Sequence, residues 1–522
     1  MNDYNIRNRK GYKLDEDQNE IVDFLVNHDA AFNSAQTGFG KTFTTITAAL
    51  HTYKRYKDNG EDIHFVIICP PAAVKSFTDT LGNIFGIAYN VFTASLRLTK
   101  ENAKFHIFNF STLGQNLFDT SLKPTQRTNE YFEILKKLKE QHNNLWLICD
   151  EAHALQNPNT TQYKIVECTN RLYIGRWFLT ATPILNDIVG LYHMCDLLKP
   201  GHLASSVWSF KNKFIEFKDS FFFTKNKFTG KAQKKEIKEP VGYKNLDLLT
   251  KLFSEISIIK AKEYDVDFIY RSAQLSPESL KYYRQAAKGL LNGKVDKVDN
   301  KGKKKTDKSS QDHAGARLHD LQRVVSNSHP DFQDLDKNQL TEKEVLLFKT
   351  VKEALERDEA VLIYFSYIES LERVKYIFSK LKDKLSITNI HQISGSVPLA
   401  QRKKVEDAIL PRDLVLLTSA GTESVNLQKS NNIIFYEIPF SLREFIQACG
   451  RITRTNSKFN KFYVYILEAE GTIDTYKKIK LQSNMTPIKV IIGGKNTLPI
   501  EVLQLNAEDK QYLKEALLWA KH

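Results

Sequence analysis

The chain of 522 residues contains no run of about 18 apolar residues, the length a helix needs to cross a bilayer, so no membrane span is expected. Its first residues, MNDYNIRNRKGYK, lack the apolar stretch of a secretory leader. Cysteine is scarce. The five residues, Cys69, Cys149, Cys168, Cys195 and Cys449, show no zinc-ligand spacing. Three of them sit in apolar or helical runs, which points to free thiols in a reducing, cytoplasmic compartment, bacterial or that of a phage host. No internal repeat is evident. What remains is length, apolar content and positive charge. The length exceeds one ordinary core, so two or three domains are expected. The apolar fraction of 42% is that of a globular chain. A formal net charge of +14 calls for a polyanion, nucleic acid before membrane, with solubility alone as the plainer alternative.

One stretch frames the functional question: LICDEAHALQNPNT, residues 147–160. Its apolar start, LWLIC (145–149), suits a strand buried on both faces of a parallel sheet. Asp150 and Glu151 follow at the carboxyl end, where open α/β sheets bind ligands. One carboxylate there can hold Mg²⁺ and the next can polarise a water that attacks a phosphoryl group. An acidic pair after a strand is otherwise an ordinary loop, so the reading needs a phosphate cradle.

Residues 30–50, AAFNSAQTGFGKTFTTITAAL, read as strand, glycine loop and helix. Ala35 to Thr42 fits P-loop spacing, with alanine in the first glycine place. Thr37, Gly38, Phe39 and Gly40 would turn backbone N–H groups toward phosphate oxygens. Lys41 brings a point charge, Thr42 offers a hydroxyl to Mg²⁺, and the helix adds its N-terminal dipole. Loop and acidic pair together predict ATP hydrolysis.

With those motifs the chain resembles superfamily 2 helicases and translocases. Further segments are similar to the family's motifs, in its order: KLDEDQNEIVDFL with Gln18 (the adenine-reading Q motif), VIICPPAAVKSF (66–77, Ia), FHIFNFSTL (105–113, Ib), FLTATPILND (178–187, III), AVLIYFSY (360–367, IV), VLLTSAGTESVNLQ (415–428, V) and QACGRITR (447–454, VI). The extension Gln156-Asn157-Pro158 after the acidic box, and TATPILNDIVGLYHMCDLLKPGHL (180–203), resemble the SWI/SNF-like branch. Motif V and the segment YEIPFS (436–441) depart from that branch. With no room on the flanks for chromatin-reading modules, a compact bacterial or phage-type member is expected rather than a nucleosome remodeller.

The resemblance implies an α/β fold of two RecA-like parallel-sheet lobes with helical insertions between them. It implies ATP and Mg²⁺ as cofactors. Lys41, Asp150, Glu151, Arg451 and Arg454 would be catalytic, the two arginines as charge-stabilising fingers. Gln18, Thr37 to Thr42 and Gln447 would contact the nucleotide, and Thr42 and Asp150 the metal. His153 would link the ATP site to Thr180 or Thr182, or be structural. Lys75, Ser111, Thr112, Ser366, Ser394, Thr418 and Ser419 are candidates for nucleic-acid phosphates, with strand-end capping as the alternative for each hydroxyl. The partner would be duplex or branched DNA, gripped without sequence preference, by a protein acting as a monomer.

The expected organisation is a polar tail (1–12), a first lobe (13–210), an inter-lobe insertion (211–340), a second lobe (341–480) and a C-terminal extension (481–522). Within the insertion, 221–237 reads as a basic hairpin, a speculative strand-separating pin, and the lysine-rich 292–312 as a flexible loop. The function expected is an ATP-driven DNA translocase or helicase of replication, recombination or repair. An RNA helicase, a motor subunit of a restriction or defence assembly, and a non-enzymatic scaffold remain as alternatives.

Overall fold

The chain's computed structural model describes residues 3–36, 38–118, 129–181, 183–184, 188–225, 232–260, 265–291, 296–298, 304–306, 314–326, 340–419, 425, 427–453, 457–479 and 481. Thr37, Thr182, Arg454, residues 420–424, most of the 292–312 loop and the C-terminal extension beyond 481 lie outside them. The chain divides into two compact units between Lys262 and Glu263.

The first unit is built on short apolar runs. They form β1 (Ala30–Asn33), β2 (His64–Cys69), β3 (Tyr89–Phe92), β4 (Arg97–Leu98), β5 (Phe105–Asn109), β6 (Leu145–Asp150) and β7 (Tyr173–Leu179). A hairpin, β8 (Ile215–Lys225) with β9 (Ala232–Tyr243), and the short β10 (Ser257–Ile258) follow. Among the described residues the sheet order is β10-β1-β7-β6-β2-β5-β3-β4, parallel throughout except for the β3–β4 pair. Every residue of β2 and β5 is buried. That is the signature of strands covered on both faces, and it is why they read as continuous apolar runs rather than alternating ones. Phe65 and Phe105 stack at 5.0 Å, and Trp146 meets Trp177 edge-on at 5.0 Å. Each buried phenylalanine contributes on the order of 2–3 kcal/mol over an exposed one.

The second unit holds β11 (Asp265–Ala273), a short antiparallel pair β12 (Asp296–Val298) and β13 (Lys304–Thr306), then β14 (Val361–Phe365), β15 (Ile390–Ile393), β16 (Leu414–Thr418), β17 (Asn432–Phe435) and β18 (Lys461–Ala469). Its main sheet runs β11-β18-β17-β14-β16-β15, all parallel. Helix Ala314–Val325 is tied into this unit by Gln322, whose Nε2 donates to Asp474 Oδ1 at 2.7 Å. Lys343, at 0% exposure, pairs with the other oxygen of the same buried carboxylate at 2.6 Å.

Two expectations change. The stretch 211–340 is divided between the units: β10 extends the first sheet beside β1, and β11 forms the edge of the second beside β18. The expected tail is bonded down from Asp3 onward. Tyr4 Oη donates to Asp23 Oδ1 at 2.7 Å, Arg9 N donates to Ile84 O at 2.8 Å, and Tyr4 packs edge-on against His51 at 5.0 Å. One tyrosine ring with a satisfied hydroxyl anchors a segment whose composition is polar. The hairpin expectation agrees with β8 and β9, which pair from Ile215↔Tyr243 to Lys225↔Ala232, while the turn 226–231 lies outside the described residues. Among the described residues no helix is long and apolar enough to cross a membrane.

Candidate active site

The phosphate loop leaves the carboxyl end of β1 and enters helix Lys41–Asp58. Asn33 closes that strand and holds the loop's root. Its Oδ1 accepts from Ala35 N at 3.3 Å, and its Nδ2 donates to Thr45 Oγ1 at 3.2 Å. Gly38 and Gly40 take φ of +99° and +76°, left-handed values that side-chain-bearing residues resist. Gly40 caps the helix without a side-chain hydrogen bond. With no side-chain cap at that end, the helix dipole favours an anion there. Lys41 folds over the loop, Nζ donating to Ala35 O at 2.9 Å. Thr42 Oγ1 accepts from Ser76 Oγ at 3.2 Å.

Gln18 is brought to this loop, but its amide is already engaged at both ends. Oε1 accepts from Asp15 N at 3.2 Å in a capping box, and Nε2 donates to Phe39 O at 3.2 Å. Its direct work in this structure is to brace the loop. Thr37, within the loop, lies outside the described residues.

Asp150 and Glu151 stand at the carboxyl end of β6, one strand away from β1 across β7. Burial pushes the Asp150 carboxyl up to about 7. The adjacent Glu151 charge pushes the same way, and the Lys41 ammonium opposes both. A half-buried carboxylate beside the Glu151 charge gains from a divalent cation. The oxygen donors of Asp150 and Thr42 are the hard type that Mg²⁺ takes, so the residues fit the metal. Glu151 has φ +52° and opens the 3₁₀ turn Ala152–Leu155. The buried His153 brings Nδ1 within 3.0 Å of Glu151 Oε2. The backbone N–H of Thr180, one of the two residues expected to meet His153, donates to Asn33 O at 3.1 Å. Thr182 lies outside the described residues.

In the second unit, Arg451 follows helix Leu442–Cys449 and donates from Nη1 to Val425 O at 3.3 Å, while its own carbonyl accepts from Leu427 N at 3.2 Å. It clips together the segments read as motifs V and VI. Gln447 is half-buried on the same helix, and Arg454 is outside the described residues.

The seven candidate phosphate contacts separate. Lys75 is exposed and pairs with Asp79 at 2.7 Å, and the exposed Ser111 donates to Asn109 Oδ1 at 2.8 Å. Ser419 is half-buried. Thr112, Ser394 and Thr418 are buried. Thr112 Oγ1 donates to Asn109 Oδ1 at 2.7 Å, and Ser394 Oγ meets Ser396 Oγ at 2.9 Å. Ser366 donates its amide to Glu437 Oε2 at 2.8 Å and keeps its hydroxyl buried. Thr112 and Ser394 spend their hydroxyls on local bonds of the strand-end capping kind, whereas Ser366 bonds through its backbone amide. The organising residues, Asn109 and Glu437, went unnoticed in the sequence. Asn109 had a signal, a polar residue ending an apolar run. Glu437 is the fully buried carboxylate of the divergent YEIPFS segment.

The SNF2-related domain model matches residues 18–323, and the helicase conserved C-terminal domain model matches residues 343–456. The uncharacterized ATP-dependent helicase YqhH of Bacillus subtilis is 22% identical over 378 residues, covering 70% of this chain and 62% of its own length. The DNA repair and recombination protein RAD54B of Gallus gallus is 23% identical, covering 63% of this chain and 38% of its own. The DNA repair and recombination protein RDH54 of Saccharomyces cerevisiae is 23% identical, covering 78% and 44%. The chain spans about half the length of the curated relatives it matches. The Sulfolobus solfataricus SWI2/SNF2 ATPase core in complex with dsDNA is similar over 95% of this chain and 99% of that one, at 18% identity and a TM-score of 0.37.

Proposed function

We propose, for a chain that belongs to the SNF2-related family, an ATP-driven motor that moves along duplex or branched DNA. The observation that carries the reading is the meeting of a glycine-turned loop, Lys41 and the Asp150–Glu151 pair at the carboxyl ends of β1 and β6, near enough for the Lys41 charge to act on Asp150. DNA as the polyanion rests on the net charge of +14 and on the repair and recombination proteins among the relatives.

In this reading the loop N–H groups and Lys41 bind and orient the β- and γ-phosphates, and Gln18 keeps the loop in shape for them. Asp150 and Thr42 hold Mg²⁺, which when bound neutralises charge on the phosphate oxygens. Glu151 takes the proton of the attacking water at its carboxylate, which His153 orients. Arg451 and Arg454 are assigned to charge on the transferring phosphoryl group, with Gln447 beside them. Lys75, Ser111, Thr418 and Ser419 are the remaining candidates for backbone phosphates, a set that grips without reading bases. A grip that alternates between the two units over each ATP cycle would advance the chain along a strand. The lobes are proposed as 13–260 and 265–480, and the free cysteines suit a reducing, cytoplasmic setting.

The test is ATP turnover without polynucleotide and with single-stranded, duplex and forked DNA and RNA, with Glu151→Gln as the control. Stimulation by duplex or forked DNA that disappears in the variant is the expected result. Stimulation by RNA alone would replace DNA with RNA as the track.

A further inference from the structure

We propose that Gln156 is a positioning residue for hydrolysis: it clamps the turn that carries Glu151 to Pro183, close in the chain to the Thr180 that bonds the root of the phosphate loop. The inference rests on the motor reading above, since it concerns how that site is held for chemistry.

The clamp is one directional hydrogen bond. Gln156 Nε2 donates to Pro183 O at 3.0 Å. On its own side, Gln156 N donates to His153 O at 3.3 Å, so the residue closes the 3₁₀ turn that Glu151 opens. On the far side, the segment that contains Pro183 begins at Thr180, whose N–H donates to Asn33 O at the root of the phosphate loop. Thr180 is thus held to the root of the loop that takes the phosphates, and Pro183 to the turn that carries the base.

A second observation is independent of the bond. Helix Ile188–Leu198 carries a buried glycine, Gly190, in its first turn, among residues that favour burial. Glycine weakens a helix relative to alanine, by about 1 kcal/mol in an interior position. Its place here is explained by Gln156. A Cβ at 190 would lie 2.8 Å from Gln156 Oε1, 3.0 Å from its Cβ and 3.1 Å from its Cδ. The helix leaves out a methyl group where the glutamine amide must lie. The same amide answers why the acidic turn runs on into Gln-Asn-Pro-Asn. Gln156 turns back to the site, and Asn157 and Thr160 start the next helix, with Thr160 Oγ1 accepting from Tyr163 N at 3.3 Å.

A clamp of this kind acts on the placement of Glu151 rather than on nucleotide affinity. Displacing a catalytic group by a fraction of an ångström lowers turnover by roughly tenfold or more. Gln156→Glu keeps the shape but removes the donor. Gln156→Lys keeps a donor. Gly190→Ala leaves Gln156 intact and pushes its amide away, while favouring the helix. The experiment measures kcat and KM for ATP, with and without duplex DNA, alongside thermal midpoints. Gln156→Glu and Gly190→Ala should each lose roughly tenfold in kcat with KM changed less than about twofold, Gln156→Lys should recover most of it, and Gly190→Ala should not melt early. Wild-type kcat in both loss variants would overturn the proposal. So would a loss that tracks falling thermal midpoints, or one seen in KM alone. A wild-type chain that turns over ATP without any response to polynucleotide would sink the motor reading while leaving the clamp to be judged on basal kcat.

Discussion

Gly40 and Glu151 both hold left-handed backbone, at φ +76° and +52°, yet only one of them is glycine. At Gly40 a side chain would cost about 1–2 kcal/mol in backbone strain. Its Cβ would also press on Gln18 Nε2 at 3.1 Å. Gly40→Ala should therefore weaken ATP binding by roughly tenfold or more, read by titration with a fluorescent ATP analogue. Unchanged affinity would mean that the loop tolerates another conformation. At Glu151 the strain accompanies a carboxylate that lies 3.0 Å from the His153 imidazole. Glu151→Gln keeps the shape and the turn, so nucleotide binding should persist while turnover falls by about 10²–10⁴. A variant that loses binding in step with turnover would show that the carboxylate is structural.

Elements are joined by polar groups that burial makes expensive to separate. Lys343 and Asp474, both at 0% exposure, connect helix Glu342–Leu355 to the residues after β18, and Gln322 adds helix Ala314–Val325. Lys343→Met leaves the Asp474 charge uncompensated and should cost about 3–5 kcal/mol in urea unfolding, with the paired change Asp474→Leu recovering part of it. In the first unit, the amino ends of β2 and β5 hold a chain of imidazoles whose tautomers follow from one backbone amide. Lys100 N donates to Asn90 Oδ1 at 2.7 Å, so Asn90 Nδ2 faces His106 Nδ1 at 3.2 Å. His106 Nε2 must then donate to His64 Nδ1 at 2.9 Å, and His64 Nε2 to Asp62 Oδ2 at 3.0 Å. Asp62, His64 and His142 bring ligand atoms within 4.8 Å of one another, but Lys104 Nζ sits 2.6 Å from Asp62 and fills the cluster with its own charge. Burial lowers His64 to about 4 and His106 to about 3. The unfolded chain therefore takes up these protons first as pH falls. The stabilisation is complete above about 6.5 and is lost as pH drops toward 4, on the order of 2–4 kcal/mol in total. Urea unfolding across that window should show the slope, and His106→Gln should flatten it.

For the molecule as a whole, charge sets the terms of binding. A basic chain that grips phosphates without reading bases releases counterions when it binds. Its DNA affinity should fall at least tenfold between about 50 and 200 mM salt and vary little with DNA sequence. An affinity flat in salt, or tied to one sequence, would remove the electrostatic grip from the motor reading. The two units are alike in what their composition announced. The strands β2, β6, β14, β16, β17 and β18 were legible as apolar runs, and the glycine loop and acidic pair as chemistry at fixed spacing. β10 and β11 were not, because a two-residue strand and a half-exposed edge strand carry little apolar pattern of their own.

What the sequence alone determined is local: which residues can turn a loop around phosphate, which carboxylates end a buried strand, and in what order such segments come. Those properties depend on residue type and on neighbours a few positions away. The tertiary structure decided the rest. It placed Gln18 as a brace on Phe39, gave His153 to Glu151, turned Thr112 and Ser366 inward, and set Gln156 against Pro183 in the space Gly190 leaves. Gln18 with Phe39, Ser366 with Glu437 and Gln156 with Pro183 are hydrogen-bonded across long stretches of chain, and His153 and Thr112, though their partners are near in sequence, are buried only once the strands are side by side.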